Sequence, residues 1–266
     1  MSAPLAEAEP APSGAAGAAL VRLARLPVRF ARTLWASVGL ARRARALRAD
    51  GHRARAALFA EMSRRFLAIY GVEVRIRGAL PEGPAILVPN HLGYLDPLAI
   101  GALGGFSPIA KSEVGAWPYV GAMGRAVGVN YFVRGDPMSG FRVLRRAARV
   151  LRSGTPVLNF AEGTTTVGDR VLPFRRGVFG LARRLGVPVV PIRLRFERRD
   201  LAWIDDAAFL PHFLDFASRP GERVSVEVLE PLDPGRFGSA EALAEATRAA
   251  VERGAVDPAP PLPLAS

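Results

Sequence analysis

From residue 53 onward the chain alternates helix-length segments with short apolar runs, which commits it to an α/β layout with a central sheet. A helix is predicted near 53–70, ending at Gly71, and a strand follows at 72–77. Ala85-Ile86-Leu87-Val88 is a compact apolar strand, with a helix starting near Asp96-Pro97. Further strands are predicted at Pro108–Ala110, Val129–Val133, Pro156–Phe160, Val187–Phe196 and Arg223–Leu229. Helices are predicted at Ser139–Arg152, 174–185 and 239–253. The expected fold is a mixed, mostly parallel sheet flanked by helices. No internal repeat is present.

The segment before this pattern is different. Residues 1–16 are rich in Ala, Pro, Gly and Ser and read as a disordered leader, with no apolar run of the kind a secretory signal needs. In residues 17–48, Arg22, Arg25, Arg29 and Arg32 recur at spacings that place them on one helical face. Leu20, Leu23, Phe30, Leu34, Trp35 and Val38 fill much of the rest, and Arg42, Arg43, Arg45 and Arg48 form a second basic cluster. Pro27 is expected to kink or divide this helix. A spanning helix needs about 18 uninterrupted apolar residues, and none occurs. Two readings stay open here. One is a basic amphipathic helix lying in a membrane interface; the other is a surface helix docked by its apolar side. The expected organisation is leader 1–16, helical segment 17–70, α/β domain 71–256 and Pro-rich tail 257–266.

Charge narrows the partners. The formal net charge is +12, which suits an anionic lipid surface or nucleic acid. No nucleic-acid module is recognisable, and the basic residues gather beside an apolar helix, so an anionic membrane is expected and nucleic acid is not. All but one of the 36 basic residues are arginine, the exception being Lys111. Cysteine is absent, which removes a thiol nucleophile, and His52, His91 and His212 are far apart, so no metal is expected.

Four segments can carry chemistry. Val88-Pro89-Asn90-His91-Leu92-Gly93-Tyr94-Leu95-Asp96-Pro97 leaves a buried strand at the edge where open α/β sheets place ligands. His91 there can take a proton from an alcohol if Asp96 holds its ring; Asp96-Pro97 also reads as a plain helix start. Asn159-Phe160-Ala161-Glu162-Gly163-Thr164-Thr165-Thr166 is a strand running into a glycine turn. Glu162 could meet substrate hydroxyls, and the amides from Gly163 to Thr166 an anion, or the threonines could merely cap a turn. Gly128 to Arg134 ends a strand on an arginine that, with Lys111, could bind phosphate. Val187-Pro188-Val189-Val190-Pro191-Ile192 is a buried strand.

In this order and spacing the four segments resemble the glycerolipid acyltransferase superfamily, specifically its 1-acylglycerol-3-phosphate acyltransferases, over roughly residues 70–200. The family's Asn-His, four residues, Asp signature is matched by Asn90-His91 to Asp96. Its Phe-Pro-Glu-Gly-Thr block is matched by Phe160-Ala161-Glu162-Gly163-Thr164, its arginine segment by Gly128–Arg134, and its Val-Pro-Val-Val-Pro strand by residues 187–191. Lys111, with Pro118 and Gly121 downstream, resembles the family's lysine. Three departures occur: Gly93 replaces a serine, Ala161 a proline, and Phe132-Val133 the usual Ile-Asp. The runs Ala110–Val114, Thr164–Thr166 and Val171–Phe174 are also similar to the lyso-ornithine lipid acyltransferase branch, whose acceptor carries no phosphate.

The resemblance implies direct acyl transfer from acyl-CoA or an acyl carrier protein to a lysolipid hydroxyl, without cofactor or covalent enzyme intermediate. His91 would be the base and Asp96 its orienting partner. Arg134 and Lys111 would hold the head group, Glu162 the acceptor hydroxyl, and the Gly163-Thr164 turn the substrate and developing charge. The acceptor expected first is 1-acylglycerol-3-phosphate, with lyso-ornithine lipid as the alternative, and the expected location is peripheral, on the cytoplasmic face of the cell membrane. An inactive membrane-binding scaffold and a thioester hydrolase are the rival classes.

Overall fold

The computed structural model describes residues 13–47, 51–204 and 207–253. Of the expected leader 1–16, residues 1–12 lie outside them, as do Arg48 and the Pro-rich tail, whereas residues 13–16 belong to the first helix. Seven strands make one sheet: β1 (Val72–Arg77), β2 (Ile86–Pro89), β3 (Ser107–Lys111), β4 (Asn130–Phe132), β5 (Val157–Leu158), β6 (Val189–Phe196) and β7 (Glu222–Val228), in the order β1-β7-β6-β2-β5-β3-β4. Every neighbouring pair is parallel except β6–β7. The sheet is therefore mixed and mostly parallel, as expected.

The central strands are apolar on both sides because helices cover both faces. Alternate residues of β2 enter two separate cores: Leu87 joins one, and Ile86 and Val88 the other. The first core holds residues of α1 (Ser13–Arg45), α2 (His52–Tyr70), α3 (Asp96–Gly101), α5 (Pro118–Ala126) and α8 (Phe209–Ser218). The second holds residues of α6 (Pro137–Arg152), α7 (Gly177–Leu185) and α9 (Ala240–Arg253). The remaining helix, α4 (Ser112–Ala116), joins β3 to α5. Pro191 sits in central β6 because it contributes only its carbonyl, to the Leu229 N–H at 3.0 Å.

The N-terminal segment is one helix whose row of arginines is buried at its middle. Pro27 lies inside α1, which runs unbroken from Ser13 to Arg45; proline has no N–H to offer the carbonyl of Leu23, an exposed residue. The arginine row also splits. Arg22 and Arg32 are exposed, whereas Arg29 is buried and donates to the carbonyls of Ala217 (2.8 Å), Arg219 (2.6 Å) and Pro220 (3.3 Å) at the end of α8. Leu40 and Ala44 pack inward, while Leu23, Val28, Phe30, Leu34, Trp35 and Val38 remain exposed. No helix among the described residues is long and apolar enough to cross a membrane.

Candidate active site

The parallel strands β2, β3, β4 and β5 end on one edge, and each delivers a residue there. His91 lies just beyond β2, Lys111 ends β3, Arg134 follows β4, and Glu162 follows β5. This convergence needs no local sequence signal; it follows from parallel strands sharing a carboxyl edge.

Asp96 is wholly buried at the start of α3 and organises the loop before it. Its Oδ2 accepts from the Leu92 N–H (2.6 Å), the Gly93 N–H (2.9 Å) and His91 Nδ1 (2.7 Å). A carboxylate can only accept, so Nδ1 carries the proton and Nε2 is left with a free lone pair. The ring stacks on Phe160, with centroids 3.9 Å apart and planes 22° apart, which fixes its orientation from the β5 side. The imidazole keeps 19% of its surface exposed, so that lone pair can be approached. Asn90 secures the start of the loop, accepting from the Leu194 N–H (2.7 Å) and donating to its carbonyl (3.1 Å).

Glu162 ties three loops together. One oxygen accepts the His91 N–H (2.8 Å) and the other the Leu172 N–H (2.9 Å). Burial pushes its carboxyl above the usual range, against these two bonds. The turn that follows places Gly163 at φ 75°, a left-handed conformation suited to glycine. A Cβ at Gly163 would lie 2.8 Å from Arg175 Nε, so the turn also depends on close approach. The N–H groups of Thr164 and Thr165 have no partner among the described residues.

Cations gather beside this turn. Arg134 donates to the Gly163 carbonyl. Lys111 is half-buried and opposite Phe132, two residues before Arg134. Burial pushes the Lys111 ammonium down, and the charges of Arg134 and Arg175 push the same way, opposed by Glu113. Three mutually repelling cations at one turn make a place for an anion.

The structure thus brings His91, Asp96, Glu162, Gly163, Thr164, Arg134 and Lys111 to one edge. Arg175 and Phe160 complete the group without having been predicted as site residues; Arg175 had no signal among so many arginines. Gly93 has a local reason. A Cβ there would lie 3.2 Å from the Trp203 N atom, whose N–H bonds the Leu92 carbonyl at 2.9 Å, so a serine would crowd the loop that carries His91.

Comparison with known proteins gives a consistent picture. The family described as Acyltransferase matches residues 71–195. A lyso-ornithine lipid O-acyltransferase of Pseudomonas aeruginosa is 30% identical over 190 residues, covering 70% of this chain and 73% of that protein. Its counterpart in Rhodobacter capsulatus is 31% identical over 199 residues, covering 71% and 72%. The crystal structure of the 1-acyl-sn-glycerophosphate acyltransferase of Thermotoga maritima superposes with a TM-score of 0.68 at 25% identity, covering 90% of this chain and 95% of that one.

Proposed function

Since the chain belongs to the glycerolipid acyltransferase superfamily and is an O-acyltransferase of lysolipids, we propose that it esterifies the free hydroxyl of lyso-ornithine lipid, using His91 as the base. The observation that carries the mechanism is the His91 Nδ1–Asp96 Oδ2 bond of 2.7 Å, which leaves Nε2 available at the sheet edge. The named activities of the two bacterial relatives favour this acceptor over the one expected first from the sequence.

In the proposed reaction Nε2 takes the acceptor hydroxyl proton while the oxygen attacks a thioester carbonyl. The new C–O bond forms, the C–S bond breaks, and the imidazolium returns the proton to the leaving thiolate. Asp96 holds the ring and stabilises its charged form. The free amides of Thr164 and Thr165, preset by Gly163, stabilise the oxyanion. Glu162 holds His91 and the 172 loop in register, and its remaining lone pairs can receive the acceptor hydroxyl. Lys111, Arg134 and Arg175 receive the head group through its carboxylate, which ornithine carries beside a cationic amine. The thioester comes from acyl-CoA or an acyl carrier protein, and no cofactor takes part.

Lysophosphatidic acid is the second reading, favoured by the three-cation cluster and by the activity named for the Thermotoga protein. The exposed apolar side of α1 would rest in the membrane interface, with residues 17–70 as the membrane-facing segment of a 71–256 catalytic domain and the protein peripheral on the cytoplasmic face.

The test supplies labelled thioester and both lysolipids in mixed micelles. Transfer to lyso-ornithine lipid in preference to lysophosphatidic acid is expected, and the reverse preference would replace the first reading with the second. His91→Ala should lose about 10²–10⁴-fold in kcat with unchanged circular dichroism. Thioester consumption without any lysolipid would instead identify a hydrolase.

A further inference from the structure

The two helical layers differ in what they show to their surroundings. The layer of α1 and α8 exposes apolar side chains together with arginines such as Arg22 and Arg32. The opposite layer exposes arginine. Arg142, Arg145, Arg146, Arg149 and Arg152 of α6 and Arg183 and Arg184 of α7 all face solvent. Neither helix contains an acidic residue. Among the described residues only Arg142 of this set has a carboxylate partner, Asp136 at 3.3 Å.

This strip begins at the catalytic edge. Met138 follows Arg134 by four residues, and the Val133 N–H bonds Ser139 Oγ at 2.8 Å, holding the first turn of α6 against the end of β4. Met138 in that turn and Phe141 just after it are 59% and 54% exposed. The Arg145 guanidinium sits 5.8 Å over the Phe141 ring. From Arg142 to Arg152 the basic row then runs about 15 Å away from the site along the helix.

We propose that the α6–α7 strip docks an acidic carrier protein that presents the acyl group as a thioester, with Met138 and Phe141 guiding its arm toward His91. The inference rests on the acyl-transfer reading above. Charge complementarity selects the partner: an unbroken cationic row attracts a polyanionic surface. Position separates this partner from the bilayer, because the strip lies on the far side of the sheet from the apolar face of α1 and α8. Extent separates it from a nucleotide donor, since seven arginines along about 15 Å of one helix and continuing onto a second outnumber the three phosphates of coenzyme A.

The test compares wild type with Arg145→Glu/Arg146→Glu/Arg149→Glu, and with the milder Arg146→Gln/Arg149→Gln should the charge reversal disturb folding. Binding of purified acidic acyl carrier protein is read by fluorescence anisotropy at several salt concentrations. Transfer to the same lysolipid is then read from acyl carrier protein and from acyl-CoA. The expected result is carrier binding by wild type that weakens with salt, and about a tenfold rise in Kd and in KM for the carrier in the triple variant, with acyl-CoA kinetics unchanged. Wild type that fails to bind the carrier, variants that bind it equally well, or equal loss with both donors would overturn the proposal. So would loss of vesicle binding in place of carrier binding. Failure of wild type to acylate any lysolipid from either donor would sink the acyl-transfer reading instead, and the anisotropy titration would still decide the docking surface.

Discussion

One oxygen atom, Asp96 Oδ2, receives three donors, and two of them are backbone amides of the loop that carries His91. Asp96→Asn can set its carbonyl oxygen on the same three donors and its NH2 where Oδ1 has no partner among the described residues, but it removes the negative charge that stabilises the imidazolium. A fall in kcat of about 10²–10⁴-fold is expected, with KM for the lysolipid little changed; retention of most activity in the steady-state assay would show that the negative charge of Asp96 is not needed. Glu162 faces two N–H donors, one at each oxygen. Glu162→Gln leaves one of them against an NH2 and should cost about 1–3 kcal/mol, read as a lower melting temperature. The pH dependence has a definite sign. Burial raises this carboxyl in the folded state, so the folded protein holds the proton more tightly than the unfolded chain. The advantage of wild type over Gln should therefore be largest in acid and shrink as pH rises through the raised value. The pairing of His91 with Asp96 was legible because it closes within five residues. The partners of Glu162 were not: they come from strand ends separated by up to 71 residues and are fixed only once the sheet forms.

At the scale of elements, the helices α2, α6, α7 and α9 are close to their predicted bounds because each buries one face with a clear period, and the central strands because they are short apolar runs between turns. α8 was not foreseen. Phe213 and Phe216 pack inward while Leu210 and Leu214 stay exposed, so apolar residues occupy both sides and the helical period is blurred. Its end is what Arg29 caps. Three carbonyls, those of Ala217, Arg219 and Pro220, converge on one guanidinium from α1. Arg29→Met preserves the apolar stem and removes every donor. A loss of about 2–4 kcal/mol is expected, with α1 becoming the first site of limited proteolysis; an unchanged melting temperature and cleavage pattern would mean that α1 is held by its apolar contacts alone. The row at residues 22, 25, 29 and 32 has the spacing of one helical face, but nothing in the local sequence says that another helix will offer carbonyls to the middle of it.

For the whole molecule, the arrangement of layers decides how catalysis meets its two substrates. The acceptor is a lipid, and the apolar side chains exposed on α1 and α8 share one layer with Tyr119 of α5, while the arginine-rich helices occupy the other. Inward-facing Arg29 changes what the N-terminal helix can present. Its outer surface is set by Leu34 and Trp35, 62% and 79% exposed, more than by the basic row. Inserting two such side chains into the interface contributes about 3 kcal/mol, roughly a hundredfold in partitioning. Leu34→Ser/Trp35→Ser should therefore cosediment with anionic vesicles about a hundredfold less well. Transfer to a long-chain lysolipid held in those vesicles should fall in step, whereas transfer to a short-chain, water-soluble acceptor should not change, because His91 and Asp96 lie in a loop these residues do not touch. Raising salt distinguishes the apolar contribution from the charged one: screening weakens attraction by Arg22, Arg32 and Arg42 but leaves the apolar term intact. Binding that survives high salt in wild type and is lost in the double variant would assign the membrane face to α1's apolar side. Binding abolished by salt and indifferent to the double substitution would return that role to the arginines.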